Sequence, residues 1–84
     1  MPWDEQLWLN LRRAAGYIPP TVRMEAVITM IEGSERAAQK RGASIVEEVD
    51  LVKTAVKKVP LSVRSLCLDI LREQGIEVDK YTDC

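Results

Sequence analysis

The sequence predicts a small all-α domain of four helices joined by short loops. Three observations support this fold class: glycine and proline divide the chain into four segments, apolar residues recur within each segment at every third or fourth position, and polar capping residues stand where the segments begin. The length of 84 residues fits a single domain spanning residues 1–84. A composition of 46% hydrophobic and 30% charged residues is typical of a chain that folds.

The first helix is predicted from about Asp4 to Ala15. Asp4 can cap its start and Gly16 can end it. Trp3 and Trp8 lie about a turn and a half apart, so we assign Trp8 to the core and Trp3 to a surface that contacts a partner. The predicted buried positions are Leu7, Leu11, Ala14 and Ile18.

The second helix follows the Pro19-Pro20 pair, which interrupts the first. Thr21 is the predicted cap, the helix runs to about Arg41, and Gly42 ends it. Gly33 disfavours this helix by roughly 1 kcal/mol relative to alanine. The predicted buried stripe contains Val22, Ala26 or Val27, Met30, Ile31, Ser34, Ala37 or Ala38, and Arg41.

The third helix is predicted to begin at a capping box formed by Ser44 and Glu47. We interpret the neighbouring acidic residues Glu47, Glu48 and Asp50 as surface charge that complements the helix dipole. Apolar residues spaced by four and three predict a narrow seam that packs on another helix. The second and third helices should therefore form an antiparallel pair covered by the first and fourth. The seam consists of Ile45, Val49, Val52, Val56 and Val59.

The fourth helix is predicted after Pro60, with Ser62 as its cap and its end at about Gln74, before Gly75. Residues 76–78 are too short for a strand, and about 80–84 should form a flexible tail. The predicted buried stripe contains Val63, Leu66, Cys67, Ile70 and Leu71.

One helix-start motif occurs twice, as Ile18-Pro19-Pro20-Thr21-Val22-Arg23 and as Val59-Pro60-Leu61-Ser62-Val63-Arg64. A cation in the first turn opposes the helix dipole, so each arginine needs compensation. The favoured interpretation is solvation or an internal carboxylate such as Glu35, Glu47 or Asp50. The alternative is an anion-binding site, in which free backbone amides assist the candidate binding residues Arg23, Arg64, Thr21 and Ser62.

Part of the chain resembles a known domain. The pattern comprises Ile18-Pro19-x-x-Val22-Arg23, then Glu35-x-x-Ala38-x-x-x-Gly42 and Ser44-Ile45-Val46. It is similar to the small helical domain found at the C-terminus of one of the subunits of light-independent protochlorophyllide reductase. An early tryptophan, Trp3, also matches, and the resemblance covers about residues 3–55.

The chain departs from the family pattern in two ways: the stretch from Arg23 to Glu35 is about one turn longer, and the usual aromatic residues are Pro20 and Thr21 here. The family's iron-sulfur clusters and catalytic acid belong to other, larger domains. The resemblance therefore implies an accessory role, such as covering a substrate, docking a partner subunit or regulating assembly.

The composition limits the chemistry. With no histidine and only Cys67 and Cys84, one chain cannot assemble a four-ligand zinc or iron-sulfur site. We expect no metal, no cofactor and no catalysis by the chain alone. The apolar runs are too short for a membrane span, which predicts a cytoplasmic protein. Nucleic-acid binding is not expected, because 12 basic residues are balanced by 13 acidic ones.

Three functional hypotheses follow. The first is an accessory or protein-interaction domain whose partner is a redox-enzyme subunit or a second copy of the chain. The second is a small helical protein that binds nucleic acid or anions, because the three basic pairs could form a phosphate-facing patch. The third is an enzyme with a site shared between copies. The basic pairs are Arg12-Arg13, Lys40-Arg41 and Lys57-Lys58.

Overall fold

The computed structural model describes residues 2–82, and the predicted all-α class is confirmed. Asp83 and Cys84, which belong to the predicted tail, lie outside the described residues. Residues 80–82, also assigned to that tail, are part of an additional short helix. In chain order the helices are α1 (Glu5–Tyr17), α2 (Pro20–Lys40), α3 (Glu48–Lys57), α4 (Leu61–Glu73) and α5 (Val78–Thr82).

The start of α1 is the predicted one. The Asp4 carboxylate accepts a hydrogen bond of 3.1 Å from the Leu7 backbone N–H, which satisfies one of the free donors of the first turn. The four predicted apolar positions of this segment are all buried, so the spacing correctly identifies the face that contacts the core.

The predicted caps of α2 and α4 are wrong. Their N-cap positions are Pro19 and Pro60, and no side chain caps either helix. Proline suits these positions because its fixed φ is near that of a helix and its missing N–H is not needed there. Thr21 and Ser62 consequently lie within the first turn, where both are exposed.

The predicted cap of α3 is also wrong, because the helix begins three residues after Ser44. Glu47 is the N-cap, and the carboxylate of Asp50 accepts its backbone N–H at 2.9 Å. This is the reciprocal half of a capping box, shifted along the chain from the predicted one.

The residues before α3 pair with the N-terminal segment instead of forming a helical turn. Trp3 and Val46 form a parallel bridge. The Val46 N–H donates to the Pro2 carbonyl at 2.9 Å, and the Asp4 N–H donates to the Val46 carbonyl at 3.0 Å. These bonds hold the start of α1 against the connection between α2 and α3.

The predicted antiparallel pairing of α2 and α3 is confirmed by two contacts. Gly33 of α2 lies against Thr54 of α3, whereas Arg41, after α2, reaches back to Asp50 near the start of α3. A Cβ on Gly33 would collide with the Thr54 methyl group, so the glycine permits this close approach. It is the most extensive contact between two helices of the domain.

Several predicted burial assignments need correction. Ile45 precedes α3 and is exposed, Leu66 faces solvent on α4, and Trp8 is 37% exposed instead of lying in the core. The predicted seam of α3 is rotated, because Leu51, which was not in it, is fully buried. The buried residues of α3 are Asp50, Leu51, Val52, Thr54 and Ala55.

The segment after α4 completes the core. Ile76 and Val78 are buried, and α5 packs against α3 and α4. The two predicted glycine stops after α2 and α4, Gly42 and Gly75, have φ of 76° and 89°, a conformation in which glycine avoids the Cβ penalty.

Candidate functional site

A surface hollow is built around the two tryptophans at the start of the chain. It has a volume of about 440 Å³ and is lined by Trp3, Glu5, Trp8 and Glu35. The indole rings meet edge to face, with centroids 5.3 Å apart and planes at 64°. The Trp3 indole N–H donates to the Glu35 carboxylate at 3.0 Å. We call this feature the tryptophan hollow.

The tryptophan hollow is acidic as well as aromatic. The described ion pairs of residues 2–82 do not include Glu5 or Glu35, so protein cations leave both carboxylates unneutralised. Trp8 is 37% exposed, whereas Trp3 is half-buried, which reverses the predicted roles of the two rings. Aromatic rings next to carboxylates suit a lysine or arginine side chain, because ring and carboxylate both attract a cation.

The two arginines of the repeated motif have the same bonding pattern. The Arg23 Nε donates to the Ile18 carbonyl at 3.1 Å, and the Arg64 Nε and Nη2 donate to the Val59 carbonyl at 3.3 and 3.1 Å. Arg23 Nη2 also lies 3.5 Å from the Gly16 carbonyl. Each arginine therefore binds carbonyls at the end of the preceding helix, where the dipole favours a cation.

This bonding identifies compensation that the sequence interpretation did not include, since it expected a carboxylate or solvent. Anion binding by Arg23 or Arg64 stays a prediction. The first turns of α2 and α4 lie side by side around a hollow of about 210 Å³. Neither arginine is part of its lining, which consists of Val22, Glu25, Ala26, Pro60, Ser62 and Val63.

The acidic residues at the start of α3 do not all face solvent as predicted. Arg41 binds Glu47 at 2.9 Å and Asp50 at 2.7 Å, and the Asp50 side chain is only 3% exposed. Burial would raise the pKa of Asp50, but its hydrogen bonds to Arg41 and to the Glu47 N–H outweigh burial and hold that pKa below its usual value. The cluster joins the end of α2 to the start of α3.

A second groove runs between α2 and α3 on a different part of the surface. It has a volume of about 260 Å³, and five of the chain's 12 basic residues line it. We call it the cationic groove. Its floor contains Gly33, Ala37 and Thr54, and its cations are Arg36, Lys40, Lys53, Lys57 and Lys58.

The sequence had indicated part of this groove. It pointed to the pairs Lys40-Arg41 and Lys57-Lys58, and the structure places three of these four residues in the groove while Arg41 binds acidic residues instead. Arg36 and Lys53 were missed. Their spacing of four from Lys40 and Lys57 was the available signal, because residues four apart share a helix face.

Comparisons with known proteins identify no relative: no family model, no curated protein and no solved structure matches the chain. Over the described residues, no helix is both long enough and apolar enough to cross a membrane.

Proposed function

We propose that this chain is a small accessory domain that binds a partner protein through the tryptophan hollow and has no catalytic activity of its own. The observation that carries the proposal is the combination of a partly exposed tryptophan pair with two carboxylates that no described protein cation neutralises. Tryptophan is among the residues that contribute most to binding at protein interfaces.

The chemistry of the hollow favours a basic side chain of the partner as its occupant. A lysine or arginine entering it would lie against the indole rings and close to Glu5 and Glu35. The Trp3–Glu35 hydrogen bond and the Trp3–Val46 bridge hold one ring in place before binding. A site that is already ordered loses less conformational entropy when the partner binds.

The resemblance to the protochlorophyllide reductase domain supports a more specific proposal. We propose a redox-enzyme subunit in the cytoplasm as the partner, with self-association of the chain as the alternative. The support is the shared early tryptophan and helix-start pattern, since Trp3 is part of both the resemblance and the hollow.

The first experiment is a pull-down from the native host under reducing conditions. We compare the parent chain with Trp8→Ala and with Glu5→Gln, two changes at exposed positions of the hollow. Met24→Ser, at a 75% exposed apolar residue elsewhere, is the matched control. A partner retained by the parent and the control but lost with both hollow variants supports the proposal; equal retention by all four overturns it.

The recovered partner then permits a test of charge. Glu5→Lys should weaken the purified complex by about tenfold or more, the range expected for losing a charge-assisted contact. Cross-linking locates the basic residue of the partner that enters the hollow, and exchanging that residue for glutamate should restore binding to the Glu5→Lys variant. A recovered protein without a redox centre would reject the redox-subunit proposal and leave the role of the hollow standing.

A further inference from the structure

We propose that the cationic groove binds a small ligand that carries two or more phosphate groups, a function separate from protein docking at the tryptophan hollow. The observation is a local concentration of charge that the overall net charge of −1 conceals. Local fields depend on where charges lie and not on their sum over the chain.

The five cations face one another because of how the two helices pack. Arg36 and Lys40 are four residues apart on α2, and Lys53 and Lys57 are four apart on α3, so each pair lies on one helix face. The antiparallel packing places these faces on the two sides of one groove. Lys58 adds a fifth charge at the end of α3.

Protein carboxylates do not neutralise these charges. None of the ion pairs within residues 2–82 includes a cation of the groove, since they all involve Arg41 or Arg72. One acidic residue, Glu32, borders an adjoining hollow of about 140 Å³ together with Arg36 and Lys58. Like charges held this close repel one another in the free protein, and a bound polyanion would remove that repulsion.

The shape of the groove favours a compact ligand over nucleic acid. A volume of about 260 Å³ is near the lower end for small-molecule sites, which are typically about 300–1,000 Å³. The lining contains no aromatic side chain on which a base could stack. A concave surface between two helices also lacks the projecting helix that enters the major groove of DNA.

A single phosphate cannot contact cations on both helices as well as a linked chain of phosphates can. Several charge-assisted hydrogen bonds, each stronger than a neutral one, would be made at once by a diphosphate or triphosphate group. The ligand class is therefore a phosphorylated small molecule with at least two phosphates near one another.

The experiment is a calorimetric titration with inorganic tripolyphosphate at low and at physiological salt. The groove variant combines Lys53→Gln with Lys57→Gln, both at exposed positions. The control variant combines Arg12→Gln with Arg13→Gln, which removes the same charge from exposed positions on α1. Circular dichroism checks that both variants keep the parent's helix content.

We expect the parent and the control to bind tripolyphosphate, the groove variant to bind at least about tenfold more weakly, and orthophosphate to bind the parent more weakly than tripolyphosphate. Tripolyphosphate should also raise the Tm of the parent more than that of the groove variant. Absence of binding at low salt would overturn the proposal, and so would equal losses in the two variants. Tighter, lysine-dependent binding of short duplex DNA or single-stranded RNA would overturn it in favour of nucleic-acid binding.

Discussion

The carboxylate of Asp50 accepts two hydrogen bonds from the guanidinium of Arg41, at 2.8 Å from Nε and 2.7 Å from Nη2. A third donor is the backbone N–H of Glu47 at 2.9 Å. The buried carboxylate therefore caps α3 and fixes the end of α2 against it. Because three donors stabilise its ionised form, the stability of the domain should depend on the charge of this residue.

Acid should destabilise the domain through Asp50. Its pKa in the folded chain lies below the usual 3.8, so its contribution is complete above that value and is lost as the pH falls through the lowered pKa. We expect the difference in unfolding free energy between the parent and Asp50→Asn to be about 1–3 kcal/mol at neutral pH and to shrink below about pH 4. Urea denaturation at a series of pH values measures it; a difference independent of pH would contradict the assignment.

The contact between Gly33 and Thr54 predicts a conditional effect of alanine. Gly33→Ala should destabilise the domain by about 1–3 kcal/mol through overpacking, although alanine is the better helix former by roughly 1 kcal/mol. Adding Thr54→Ser removes the methyl group that the new Cβ would meet and should recover most of the loss. Denaturation midpoints of both single variants and the double variant complete the cycle. Additive effects would mean that the two residues do not contact each other.

The helix starts predict different responses to alanine. Asp4→Ala should cost about 0.5–2 kcal/mol, because its carboxylate caps α1. Thr21→Ala and Ser62→Ala should change stability by no more than about 0.5 kcal/mol, because neither side chain caps a helix. Thermal unfolding of the three variants tests this; a large loss for Ser62→Ala would restore the capping interpretation.

The arginines of the repeated motif should be structural. Arg23→Met and Arg64→Met each remove hydrogen bonds to a carbonyl at the end of the preceding helix, and each should cost about 0.5–1.5 kcal/mol. Arg12→Met, at an exposed site on α1, is the control and should be nearly neutral. If either motif variant were as stable as the control, the shared bonding pattern would have no energetic role.

Cys67 should react slowly with thiol reagents. It is 1% exposed, and burial raises its pKa, so little reactive thiolate is accessible in the folded domain. In a Cys84→Ser background, modification of Cys67 should accelerate as denaturant populates the unfolded chain. Labelling at the rate of an unstructured cysteine in native buffer would place this side chain at the surface and contradict the register of α4.

The helical segments could be predicted from the sequence because proline, glycine and apolar spacing are local signals. The precise starts could not be predicted in the same way, since several neighbouring residues can begin a helix. At α2, Thr21 is a good cap by residue type, but the preceding prolines already supply the required backbone conformation. At α3, the pairing of Val46 with the N-terminal segment excludes Ser44 from the helix.

The candidate surfaces depend on contacts between distant residues, which explains why they were only partly predicted. Trp3 and Glu35 lie in different segments, and nothing in their local sequence indicates the hydrogen bond between them. The cationic groove depends equally on how α2 and α3 face each other. The spacing of Arg36 and Lys40 shows that they share a helix face, but not that Lys53 and Lys57 lie opposite.

The bridge between Trp3 and Val46 also bears on the order in which the domain assembles. Closing a long loop has an entropic cost that helical contacts within a segment do not have, so we expect residues 2–4 to dock after α2 and α3 have paired. The same segment can then detach without unfolding the remaining helices. Hydrogen exchange at the amides of Asp4 and Val46, which form the bridge, should therefore report that detachment separately from global unfolding, at a lower free energy than the amides of the core helices.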